Sequence, residues 1–474
     1  MRDRSKEIAM LEDTLKILKQ SWYEKNGKRI QMKLSAKEMQ EIQVYLPEEV
    51  KKNCSDPEFD NFYRDEDQQE MDEAMKRIRE KEINLDKIRG SLAGGAVGDA
   101  LGYTVEFWGE EQIFGKYGER GITEYELDSF TEKALISDDT QMTLFTANGL
   151  LVGDTRGAMR GIQGWPRHYV TQAYQDWLYT QECPFDKQKI QDRRGNYSCR
   201  SWLADVPELY SSRAPGNTCL SALSAQKNGK DFVNDYVKEP QNQSKGCGGI
   251  MRVAPVALNY KHMEMGTLDM EGAQIAAITH GHSLGYMPAA IVTHIINCIV
   301  FGEEKKTLKN IVIEARDKVA EIFRGDRHLK ELTDIIDLAI ELSGNEADDL
   351  DNIHRLGEGW VAEETLGIAL YCALRHQDDF SAGVISAVNH KGDSDSTGAV
   401  TGNILGALLG YDAIEEKWKT NLELIDVIIE MADDLCHGCQ MSEFGHYDDP
   451  DWIRKYICMQ WKDERLDPAK TDKV

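Results

Sequence analysis

"HKGDSDSTGAVTGN", residues 390–403, crowds Asp393, Asp395, Ser396 and Thr397 into one short stretch. Carboxylates at the head of a helix destined for burial repel each other unless something positive lies between them. Hard oxygen donors of this kind suit Mg²⁺, Mn²⁺ or Ca²⁺. An EF-hand is excluded, because Ile404 stands where that loop needs a bidentate glutamate. A solvated capping loop is the plain alternative. The following "GAVTGNILGALLG" is a small-residue helix suited to tight packing.

Three further stretches carry possible chemistry. In "ALISDDTQMTLFTANGLL", Ser137 reads as an N-cap with Asp138 and Asp139 in the first turn, where the helix dipole favours them. Capping explains one acid; two in a row leave a cap and a ligand set equally open. In "RGSLAGGAVGDALGYTVEF", Gly90, Gly94, Gly98 and Gly102 form a bare stripe that lets another backbone approach closely, with Asp99 and Glu106 as unexpected carboxylates. No strand precedes them, so a dinucleotide-binding turn is disfavoured. In "QSKGCGGIMRVAP", glycines around Cys247 free backbone N–H groups to face an anion, and Ser244, Lys245 and Arg252 can assist. It lacks the ending of a P-loop, and a structural glycine turn competes with the anion reading. His280 and His282 in "THGHSLGY" are more often satisfied core residues than ligands.

The elements that must position these residues read as helix after helix. Period-3.6 patterning is clear in "LKNIVIEARDKVAEIF", "LKELTDIIDLAIELS", "TLGIALYCALRH" and "LELIDVIIEMADDL". Residues 87–474 are therefore expected to form one all-α domain. Residues 1–86 differ: two helical patterns, a short alternating "GKRIQMKLS", then a charged run from Ser55 to Glu82 suggest an N-terminal arm or small extension. The net charge of −26 argues against a general nucleic-acid binder. "YMPAAIVTHIINCIVF" is short for a membrane span and reads as a buried helix, so no membrane association is expected. The N-terminus lacks the apolar core of a signal peptide, and ten scattered cysteines fit reduced thiols in a cytoplasm. For "CHGC" (436–439), two ordinary thiols at a helix end are preferred over zinc.

Taken in order, "GDALGYTVEF", "SDDTQM", "RAPGNTCLSAL", "KGCGGIMRVAP", "THGHSLGY" and "GDSDSTGAVTGN" resemble the ADP-ribosylglycohydrolase family, in its bacterial branch with the dinitrogenase-reductase-activating glycohydrolases and ADP-ribosylarginine hydrolases. The resemblance covers roughly residues 87–440. It implies a compact, orthogonal multi-helix domain holding two Mg²⁺ or Mn²⁺ ions, which hydrolyses the bond between ADP-ribose and an acceptor, often arginine. It further implies Ser137, Asp138, Asp139, Asp393, Asp395 and Ser396 as metal ligands, the two serines standing where many relatives have threonine. Glu106 would approach both metal and ribose. Ser244, Lys245, Gly246, Cys247, Gly248 and Gly249 would line the diphosphate and ribose pocket with His280 nearby; many relatives have asparagine in place of Cys247.

Hydrolysis at an anomeric carbon passes through a cation-like state and needs a positioned water. The expected base is Asp138 or Asp395, and Glu106 is the candidate to hold or protonate the leaving group. The expected partner is an ADP-ribosylated protein. The arm resembles extensions that serve immunity against ADP-ribosylating toxins, which makes a cognate toxin a second expected partner; simple packing on the catalytic domain is the alternative. Another ADP-ribose linkage (serine-linked or a small metabolite) and a non-catalytic binding role are the competing functions.

Overall fold

The computed structural model describes residues 65–227, 233–302, 304, 306–445 and 447–461. The arm's two helical patterns and its alternating segment lie outside these residues, as does the docking role expected of them. The chain divides into two units, Met1–Arg79 and Glu80–Val474, and the second carries the site. Among the described residues the secondary structure is helical, with only two isolated β-bridges, Ala134 to Leu422 and Gly246 to Val361. The all-α expectation holds.

The helices that matter most for the site are α1 (Asp65–Tyr103), α2 (Asp138–Arg160), α3 (Pro166–Glu182), α4 (Ser283–Phe301), α5 (Ala362–Arg375), α6 (Phe380–Val388) and α7 (Ser394–Leu409). α4 is apolar enough to pass as a membrane span by length and composition, yet 89% of its most apolar window is buried inside the protein. It packs on Met265–Ala277, Leu308–Ile322, α5, α7 and the turn Cys247–Arg252, which makes it a central core helix. The periodic stretches read from the sequence form helices Leu308–Ile322, Leu329–Ser343, α5 and Ile425–His437.

The glycine stripe of α1 meets its match in α7. A Cβ on Gly90 would lie 2.1 Å from the carbonyl oxygen of Gly406, on Gly94 2.4 Å from that of Gly402, and on Gly98 1.9 Å from that of Gly398. Real Cβ atoms do not approach backbone so closely, so hydrogen at these positions is what lets the two helices run antiparallel in backbone contact. Reciprocal hydrogen bonds lock the register: Ser91 Oγ donates to the Asn403 carbonyl (3.0 Å), and Asn403 Nδ2 donates to the Ser91 carbonyl (2.8 Å). The last pairing, Gly102 against Ser394, brings the C-terminal end of α1 to the head of α7.

Candidate active site

The end of α1 gathers both acidic helix heads. Ser394 starts α7 beside Gly102, and Asp393 caps that helix by accepting from Ser396 N (3.2 Å). One turn back on α1, Asp99 is fully buried and accepts from Ser137 N (3.0 Å) and Thr140 N (3.1 Å), and also from the Thr140 hydroxyl. Asp99 thus clamps the first turn of α2, while Ser137 caps it by accepting from Asp139 N (3.2 Å). Burial pushes Asp99 up to about 6, with the Thr140 and Ser137 hydrogen bonds opposing that rise. The chain then leaves α1 through a turn closed by Val105 N to Gly102 O (2.9 Å), which sets Glu106 beside the two heads.

Glu106, Asp138, Asp139, Asp393, Asp395 and Ser396 are each between 2% and 6% exposed. Burial, reinforced by the charges of Asp393 and Asp138, pushes Glu106 up to about 9. Burial likewise drives Asp138, Asp139 and Asp395 well above the carboxylate range, and each feels the negative charge of Asp393. Partners are sparse: Asp138 Oδ2 has the Gly216 N–H at 3.4 Å, and Asp395 Oδ1 the Ser396 N–H at 2.9 Å. Glu106 Oε2 and Asp139 Oδ2 have none. Nearby cations are already engaged, Arg213 with Glu423 and Lys245 with Glu363. Among the described residues no ion pair reaches the five acids.

This donor set fits a divalent cation. It supplies hard carboxylate and hydroxyl oxygens, leaves two buried oxygens unpartnered, and lacks a positive charge where several negative ones meet. Among the described residues no three His, Cys, Asp or Glu side chains are already grouped as a metal site.

The glycine-rich stretch forms the 3₁₀ turn Cys247–Arg252. Its entry is pinned to the segment before α5 by Ala362 N to Lys245 O (2.9 Å) and Cys247 N to Trp360 O (3.3 Å). That same segment receives Asp393 N on the Glu358 carbonyl (2.9 Å), so one loop braces both the turn and the head of α7. Ser244 Oγ accepts from Gly246 N (3.3 Å), and Lys245 is half-exposed. His280 belongs to this group but lies beneath it: a Cβ on Gly248 would fall 2.9 Å from its Cε1. Burial, helped by Arg252, holds His280 down at about 3, so it supports the turn as a neutral ring. Arg252 does not face an anion as expected from sequence. It is fully buried over the Tyr174 ring of α3 (4.5 Å) and bonded to Thr279 Oγ1 (2.6 Å).

The sequence reading missed the loop Gly357–Val361 and the clamping role of Asp99. Asp99 carried a signal, a carboxylate inside an otherwise small and apolar helix. Gly357 and Gly359, both with positive φ, were the marks of the loop.

The domain is all-helical among the described residues and carries two acidic helix heads and a glycine-rich turn. Residues 80–444 match the ADP-ribosylglycohydrolase family, and the chain belongs to that family of hydrolases that remove ADP-ribose. An uncharacterized Archaeoglobus fulgidus protein is 26% identical over 74% of this chain and 96% of its own length. The ADP-ribosylarginine hydrolase Tri1 of Serratia proteamaculans is 24% identical over 76% of this chain and 82% of its own. A solved structure described as an ADP-ribosylglycohydrolase-related protein complex shares the fold, with a TM-score of 0.51 at 24% identity, covering 75% of this chain and 99% of that one.

Proposed function

We propose that the protein is a divalent-metal-dependent hydrolase that releases ADP-ribose from modified arginine side chains of proteins. The observation that carries the metal dependence is the buried group Glu106, Asp138, Asp139, Asp393 and Asp395, which has no basic partner among the described residues. The arginine acceptor is supported by the Serratia relative, an ADP-ribosylarginine hydrolase that aligns over most of both chains. Ser137, Asp138 and Asp139 from one head, with Asp393, Asp395 and Ser396 from the other, would hold two Mg²⁺ or Mn²⁺ ions. Such ions supply Lewis acidity and lower the pKa of water in the pocket.

The chain's own residues do the rest. Asp138 or Asp395, one in the first turn of each helix head, takes the proton of the attacking water. Glu106, with Oε2 unpartnered, holds or protonates the leaving nitrogen. The N–H groups of Gly248 and Gly249 receive the diphosphate, those of Gly246 and Cys247 being held by Ser244 Oγ and the Trp360 carbonyl. Burial of the acids keeps bulk water from competing with the one oriented molecule.

The test is release of ADP-ribose from an arginine-modified protein, with Mn²⁺ or Mg²⁺ and again after EDTA. Release that disappears on chelation and returns with metal is expected. Release untouched by EDTA would overturn the metal dependence. Hydrolysis of a serine-linked substrate with the arginine substrate left intact would overturn the acceptor.

A further inference from the structure

Cys247 sits among the acids rather than at the rim. Its Sγ–H donates to Asp393 Oδ2 at 2.7 Å, close for an atom of sulfur's radius. Its backbone is fixed by Cys247 N to Trp360 O (3.3 Å) and by the bridge between Gly246 and Val361, so the side chain is aimed by the fold. Burial acts most strongly on the thiol, and the charges of Asp393 and Asp139 add to it. Asp139 is 3% exposed and its Oδ2 has no partner. A sulfur therefore stands beside an oxygen cluster that already calls for a cation.

We propose that Cys247 is a direct sulfur ligand of one of the two metal positions, giving that position a mixed sulfur and oxygen donor set. This rests on the metal-dependent reading above. Ion binding replaces the proton between Sγ and Asp393 Oδ2 and releases it to water. Sulfur is a soft donor and carboxylate a hard one. The position holding Cys247 then favours Co²⁺, Zn²⁺ or Cd²⁺ over Mg²⁺, while the other keeps an all-oxygen shell suited to Mg²⁺ or Mn²⁺.

The experiment uses the full chain, stripped of metal and titrated with Co²⁺, with bound cobalt counted by equilibrium dialysis. The expected result is a near-ultraviolet thiolate-to-cobalt charge-transfer band that is lost in Cys247→Ser and in Cys247→Asn while cobalt still binds. In a parallel Cd²⁺ titration either variant should weaken affinity by at least about tenfold, with Mg²⁺ affinity nearly unchanged. Cobalt retention by the variants serves as the check that they fold. Cobalt bound without the band, or a band that survives in both variants, overturns the sulfur ligand alone. No cobalt retained by the wild-type chain overturns the metal reading together with it.

Discussion

Two kinds of buried carboxylate share this molecule. Away from the site, four have a cation: Glu271 pairs with Arg167, Glu423 with Arg213, Asp176 with Arg193 at 3.0 Å, and Asp434 with Lys455. At the two helix heads, five acids equally deep in the protein have none among the described residues. Desolvation costs several kcal/mol per buried ion and is offset only by good partners, so a fold that supplies partners elsewhere omits them here for a reason. On the proposed function, the cation missing from the second set is the one a ligand brings. The helix geometry adds to this, because the positive ends of α2 and α7 are both directed at the acids and moderate their repulsion.

The strongest way to break this comparison is to remove charge at the site. Asp138→Asn and Asp395→Asn are each expected to lower kcat/KM by roughly 10²–10⁴-fold. Each also deletes a buried charge with no counter-ion, so the metal-free variants should melt no lower than the metal-free wild type, and higher if repulsion is relieved. Calorimetry of the stripped proteins reads this directly. A variant that lost activity and several degrees together would place its carboxylate with the structural set instead.

Lys455 sharpens the other half. Its ammonium is 5% exposed and lies 3.0 Å from Glu430 and in contact with Asp434, which also accepts from Tyr456 Oη at 2.6 Å. Lys455→Met keeps the volume and strands the acids, at a cost of about 3 kcal/mol by urea unfolding. Turnover at a saturating metal concentration should change little. A loss below about 0.5 kcal/mol would mean that these acids are partnered no better than those of the site.

Much of this arrangement was legible because it is local. The caps Ser137 and Asp393, the acids in the first turns, and the small-residue faces of α1 and α7 follow from neighbours along the chain. That the two glycine faces pack together was half visible: each asked for a close partner, and only tertiary structure says they choose each other. Asp99, Arg252 and His280 were not readable in this way. Whether a buried polar side chain serves a ligand or the scaffold depends on what lies across from it, and Tyr174, Thr279 and the first turn of α2 are distant in sequence. The hydrogen bond from Cys247 to Asp393 spans 146 residues and left no trace in local pattern.

The smallest effect tests whether partnered acids behave as the comparison requires when protonated. Asp349 lies 2.8 Å from His376 Nε2 and accepts from Tyr371 Oη at 2.6 Å. Partial burial would raise its pKa, but the His376 hydrogen bond and charge, with Tyr371, bring it from 3.8 down to about 2. A folded-state pKa below the unfolded one means that the unfolded chain binds the proton first. The contribution is therefore fully present above pH 3.8 and is lost as pH falls through about 2. Because the side chain is 30% exposed and screened, its size is about 1 kcal/mol rather than the full value of the shift. The stability difference between wild type and Asp349→Asn, measured by urea unfolding, should be near 1 kcal/mol at about pH 5 and shrink toward zero at about pH 2. Using the difference cancels every other acid that titrates in that range. A difference that grows on acidification would mean that Asp349, despite its partners, is held as the site acids are, and the division between the two sets would then not follow from the presence of a cation.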